Sequence, residues 1–153
     1  MEVYRLTREK YGLTLSGKGA AIKGARWNSP GTELVYTASN RSLAMAEVAV
    51  HFSLATLPDD YHMLTIYIPD NLKLIKLGES ELPENWNTFP HITATQKFGD
   101  QFVSKSKSCV LQVPSAVTPG DYNLLLNPFH ADYAKVKIID QMKFPFDKRI
   151  FKG

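Results

Sequence analysis

The chain has 153 residues, 44% of them hydrophobic and 22% charged, with a net charge of +3; this is the balance of one globular domain and is far from a disordered or collagen-like composition. Its longest apolar runs fall well short of the roughly 18 residues that cross a bilayer, and the opening MEVYRLTREKYG holds no apolar stretch resembling a signal peptide. The single cysteine, Cys109, excludes an internal disulfide framework and a cysteine-cluster zinc site, so a single reduced, cytoplasmic domain over residues 1–153 is expected.

Val3 to Leu6 reads as a short first strand. Residues 12–32, rich in Gly, Ser and Lys, read as a long mobile loop ending in the turn Ser29-Pro30-Gly31. Glu33 to Thr37 looks like a second strand, and Ser39 or Asn40 offers an N-cap for a helix over Ser42–Phe52. Tyr61–Ile68 alternates with Leu64, Ile66 and Ile68 on one face, and Leu72–Leu77 extends the sheet after a Pro69-Asp70-Asn71 turn. Residues 79–90 read as an acidic, aromatic loop. Thr93–Lys105 follows as a helix with Phe98, Phe102 and Val103 inward. Cys109–Val113 is a strand stopped by Pro114, Asp121–Tyr133 a polar loop, and Ala134–Ile139 a last strand with Val136 and Ile138 inward. A few strands and two helices without regular alternation predict an α+β domain.

Charge is uneven along the chain. Residues 1–41 carry seven basic and three acidic side chains, residues 42–104 three and eight, and residues 105–153 eight and four. A basic first third suits an anionic ligand, or is simply a solvated face. This patchy pattern, with no recognition motif, argues against DNA binding. The stretch Gly12-Leu13-Thr14-Leu15-Ser16-Gly17-Lys18-Gly19 almost spells a phosphate-binding loop, but Gly19 stands where a Ser or Thr would hold magnesium.

Glu47 is the most suggestive residue. It is the sole charge in Ser42–Val50, an otherwise apolar helix that should be largely buried. A buried carboxylate must be paired, protonated or facing a cleft, so Glu47 is either half of a structural ion pair or a functional group. Arg26-Trp27-Asn28 could clamp a phosphate with the guanidinium fork while the indole covers a base; alternatively it is a surface arginine beside an anchoring tryptophan. Tyr36 suits a half-buried strand position. His51, His62 and His91 are scattered, with no pair at metal-ligand spacing, and His130 sits in the turn Asn127-Pro128-Phe129-His130.

Taken in order, these segments resemble the RES domain family. One block is Gly24-Ala25-Arg26-Trp27-Asn28, Gly31 and Val35-Tyr36-Thr37-Ala38, running into Leu43-Ala44, Glu47 and His51. A second is Val113-Pro114-Ser115, Asn123 and Asn127-Pro128-Phe129-His130, and Val3-Tyr4-Arg5-Leu6 fits the family's start. The resemblance implies an ADP-ribosyltransferase-like α+β fold with a mixed or antiparallel central sheet and flanking helices. It implies a toxin of a bacterial toxin–antitoxin pair that takes NAD⁺ as substrate rather than as bound cofactor, with no metal. The reaction would be NAD⁺ breakdown by water or phosphate, or ADP-ribosylation of a protein. The implied partner is an Xre-like antitoxin whose C-terminal segment covers the cleft.

By the same resemblance Arg26, Tyr36, Glu47 and Ser115 stand at active-site positions. Glu47 would stabilise the positive ribose of the transition state. Arg26 would take the pyrophosphate or ribose end and help keep Glu47 ionised, with Trp27 beside it. Tyr36 would pack on nicotinamide or donate its hydroxyl, and Ser115 would bind substrate or orient Glu47. Arg5, Asn127 and His130 match further substrate-side motifs without assigned roles. The competing reading is a non-enzymatic binding module in which Glu47 is structural.

Overall fold

The computed structural model describes residues 1–151. Seven strands form one sheet: β1 (Glu2–Arg8), β2 (Val35–Ala38), β3 (Tyr61–Tyr67), β4 (Leu74–Lys76), β5 (Val110–Pro114), β6 (Tyr122–Leu126) and β7 (Lys137–Lys143). Their order is β4-β5-β6-β2-β1-β3-β7. The β4–β5 pair is parallel and every other pair antiparallel. The helices are α1 (Lys18–Lys23), α2 (Arg41–Ala49) and α3 (Thr93–Lys105). The expected α+β class and mixed sheet are therefore what the chain adopts, and α3 has the bounds its apolar spacing predicts.

Three departures have physical reasons. The 12–32 segment is not one loop, because α1 lies within it. β6 occupies the middle of the sheet where a polar loop was expected. Its run Leu124-Leu125-Leu126 sends the first and third side chains into one core cluster, with Val3, Leu64 and Val110, and the second into another, with Trp27, Phe102 and Val113. A strand covered on both faces loses the alternation that would announce it, and Asp121 and Asn123 lend the region a polar look. The last strand starts at Lys137 rather than Ala134 because residues 131–135 wind into a short 3-10 turn.

The helix α2 is capped as expected, with the Asn40 side chain accepting from the Leu43 amide at 2.8 Å. It is not largely buried. Leu43 and Ala44 pack into the core with Ala38 and Met63, while Val50 is 61% exposed. The helix ends at Ala49, and its remaining apolar side is open to a cleft rather than to a second layer of protein.

Candidate active site

That cleft forms where two neighbouring strands part. β1 and β3 pair along seven residues, whereas β1 meets β2 at a single pair, Tyr4↔Ala38. Around this opening lies a cavity of about 450 Å³ lined by β1 (Tyr4, Arg5, Leu6), by β2 (Tyr36, Thr37, Ala38), and by Ala44, Glu47, Val48 and His51 along α2 and just past its end. Phe52 and Tyr61 close one side, their rings edge to face at 6.4 Å.

Glu47 faces this space from α2. Its Oε1 accepts a 2.6 Å hydrogen bond from Asn123 Nδ2, which also donates to the Thr37 carbonyl at 3.1 Å. Burial pushes the carboxyl up to about 7, and the Asn123 bond pulls against it. Glu47 is in none of the ion pairs found among the described residues. In particular Arg26 does not pair with it: Arg26 Nη1 donates to the carbonyls of Trp86 and Thr88, each at 2.9 Å. Asn123, a residue of the second sequence block with no role assigned to it, is the group that holds Glu47.

Arg5 is the one cation among the cleft-lining residues. Among the described residues its Nη2 reaches only the Ser16 carbonyl, at a long 3.4 Å, and its buried Nη1 has no partner. Burial lowers its pKa, offset in part by Tyr133. An unpaired guanidinium held away from water is a site that an anion would complete.

Tyr36 lines the cleft with its ring, but its hydroxyl is engaged. It donates to Asn28 Oδ1 at 2.6 Å and accepts from the Trp27 amide at 3.0 Å. Burial accordingly raises its pKa far above that of a free phenol. Trp27 is 2% exposed and packs on Trp86 with ring centroids 6.1 Å apart; it anchors the core and is not free to cover a base.

The Gly24–Asn28 block is a clasp. Asn28 Nδ2 donates to the carbonyls of Ala20, Ser29 and Thr32. From α3, Thr95 Oγ1 donates to the Arg26 carbonyl, and Gln96 Nε2 to those of Ala25 and Asn28. The helix approaches so closely that a Cβ on Gly99 would sit 1.6 Å from the Trp27 oxygen, so no side chain larger than hydrogen fits there.

The other expected residues lie outside the cleft lining. Ser115 Oγ accepts from the amides of Val117 and Thr118, shaping the β5–β6 turn, and makes no bond to Glu47. Asn127 ties the end of β6 to α3 by donating to the Val103 carbonyl and Ser106 Oγ. His130 Nδ1 accepts from the Asp132 amide and starts the 3-10 turn. Among the described residues no group of three His, Cys, Asp or Glu side chains could hold a metal ion, and no helix is long and apolar enough to cross a membrane.

Fold and cleft together define an α+β domain built on one mixed seven-stranded sheet, with Glu47 and Arg5 among the residues lining one opening. The RES domain matches residues 2–147. A relative named Toxin Res from Photorhabdus laumondii is 38% identical, covering all of this chain and 99% of its own. A second, named Prs ADP-ribosylating toxin, from a Sphingobium species, is 35% identical over 90% of this chain and 87% of its own. Among solved structures, that of the M. tuberculosis MbcT–MbcA toxin–antitoxin complex superposes with a TM-score of 0.77 at 21% identity, covering 94% of this chain and 83% of that one; this likeness is one of fold. The chain belongs to the RES family.

Proposed function

We propose that the chain is the toxin of a bacterial toxin–antitoxin pair, acting in the cytoplasm by breaking the bond between nicotinamide and ribose in NAD⁺. The observation that carries this is Glu47: a carboxylate on a cleft wall, held by a neutral amide and, among the described residues, by no cation. As the C–N bond breaks, nicotinamide leaves neutral with the electron pair and the ribose becomes an oxocarbenium ion. A carboxylate hydrogen-bonded to a ribose hydroxyl stabilises that charge, and more strongly where water is scarce. Water or phosphate then closes on the sugar carbon, giving ADP-ribose or its 1″-phosphate.

Within this reading Arg5, a cleft-lining residue whose Nη1 has no partner among the described residues, takes the pyrophosphate, and Tyr36 forms part of the wall. Ser115 and His130 shape turns and Asn127 ties β6 to α3, all outside the cleft lining. The structural alternative makes Glu47 half of an ion pair, and it has no such pair among the described residues. The expected partner is an antitoxin of the Xre type whose C-terminal segment fills the cleft; the MbcT–MbcA complex, in which a toxin of this fold is paired with an antitoxin, supports a protein partner of that kind.

The test is purified, partner-free protein with NAD⁺ at neutral pH, with and without phosphate, and products separated by chromatography. Nicotinamide release is expected, and intact NAD⁺ under both conditions would overturn simple cleavage. The second reading, transfer of ADP-ribose to a protein, is supported by the Sphingobium relative, whose name is that of an ADP-ribosylating toxin. Labelled NAD⁺ in lysate distinguishes it, because transfer puts label on a discrete protein band whereas cleavage leaves label only in small molecules.

A further inference from the structure

Arg26 and the segment it holds lie outside the cleft lining but reach its edge at His51. The Nη1 bridge to the Trp86 and Thr88 carbonyls spans 60 residues of sequence or more. Trp86 is buried against Trp27, and Thr88 is turned back by bonds from its amide and hydroxyl to the Asn85 carbonyl. Downstream, α3 is fastened to the same Gly24–Asn28 block through Thr95 and Gln96. Pinned on both sides, this short segment presents Phe89, which is 80% exposed. The Phe89 ring stands 6.4 Å from that of His51, tilted by 54°, and His51 belongs to the cleft lining.

A large apolar ring left in water beside a cleft, on a segment fixed by a buried tryptophan and a bridging arginine, is poised to cover something flat. We infer that Phe89 is a substrate-binding residue, its ring stacking on a heteroaromatic base of the dinucleotide at the mouth of the cleft. Arg26 is the positioning residue that keeps it there, acting through the 86–88 backbone. The inference rests on the NAD⁺ reading and adds a binding group from a segment to which the family resemblance assigns nothing.

The experiment measures NAD⁺ turnover by the full chain and by Phe89→Ala, Phe89→Leu and Phe89→Trp, with thermal midpoints as the folding control. Base–aromatic stacking adds to the binding of each stacked base, so Phe89→Ala should raise KM roughly tenfold with kcat within about twofold. Phe89→Trp should restore KM and Phe89→Leu should not. Arg26→Gln should raise KM in the parent chain yet add little to Phe89→Ala, because both changes remove one interaction. Arg26→Lys, which keeps a cationic donor on a long stem, should recover part of the loss.

Calorimetry on the inactive Glu47→Gln chain, with ADP-ribose and with nicotinamide mononucleotide, identifies the stacked ring: Phe89→Ala should weaken one of them. An unchanged KM in Phe89→Ala, equal performance of Leu and Trp, or weakening of neither ligand overturns the stacking role. Full additivity of Arg26→Gln and Phe89→Ala overturns the positioning role. A parent chain that neither binds nor consumes NAD⁺ removes the functional reading itself, a result distinct from a parent that turns over with Phe89 indifferent.

Discussion

Asn123 Nδ2 donates to Glu47 Oε1 at 2.6 Å and to the Thr37 carbonyl at 3.1 Å, so one amide fixes the carboxylate of α2 to the backbone of β2. The donor is neutral. It orients Glu47 and favours its ionised form without cancelling its charge, as a counter-ion would. The site thereby keeps a negative charge available to a substrate that becomes positive.

The first consequence is a pH dependence. Burial raises the Glu47 carboxyl from 4.5 to about 7, and the anion is the form that stabilises an oxocarbenium ion. NAD⁺ cleavage should therefore rise with pH through about 7 and level off above it. Glu47→Gln should lower kcat by about a hundredfold or more and abolish the limb. A rate independent of pH between 5.5 and 8.5, measured under saturating NAD⁺, would remove Glu47 from the chemistry.

Stability should run the other way. With the folded-state pKa above the unfolded one, the native chain holds a proton that the unfolded chain has lost between pH 4.5 and about 7. The unfolded state then binds fewer protons, so stability falls as pH rises through this window, by up to about 3 kcal/mol. Glu47→Gln keeps an acceptor for Asn123 and carries no charge. It should melt higher than the parent at pH 8 and alike at pH 4.5. Equal midpoints at pH 8 would show that the carboxylate is better solvated than its position indicates.

Asn123 should tune that limb. Asn123→Leu removes the bond that pulls the Glu47 pKa down and leaves desolvation unopposed, so the activity limb should move to higher pH while the plateau drops. Asn123→Asp would place a second carboxylate against the first and shift the limb further. A limb unmoved in both variants would show that Asn123 holds Glu47 in place without affecting its charge.

Much of the frame was legible because its signals are local. The apolar spacing of α3, the Asn40 cap and the alternation in β3 are local patterns, and the ordered blocks around Tyr36 and Glu47 mark part of the cleft lining. What was hidden depends on pairings distant in sequence. Asn123 meets Glu47 across 76 positions, and the β1–β2 opening exists only once β6 has taken its central place. Residue type alone does not give a side chain's place: Trp27 and Ser115 look like ligand groups, and in the structure one is packed in the core and the other accepts the amides of a turn.

Tyr36 separates wall from chemistry. Its hydroxyl is committed to Asn28 and the Trp27 amide, so Tyr36→Phe leaves a buried acceptor and a buried donor unsatisfied and should cost about 1–3 kcal/mol of stability. The ring remains, and kcat for NAD⁺ measured well below the lowered melting midpoint should stay within a few-fold of the parent. A hundredfold loss of kcat in a folded Tyr36→Phe chain would assign the hydroxyl to the substrate instead.

Arg5 should behave in the opposite sense. Its guanidinium has a buried nitrogen with no partner among the described residues, and a charge in that state destabilises the empty protein. Arg5→Met keeps the apolar stem and removes the charge, so it should leave the melting midpoint unchanged or raise it. The same change should weaken ADP-ribose binding by tenfold or more, since the pyrophosphate loses its cation. Added salt should weaken binding to the parent more steeply than to Arg5→Met, as expected when one charge contact has been deleted. A gain in stability with ADP-ribose affinity and salt dependence both unchanged would place the pyrophosphate elsewhere in the cleft.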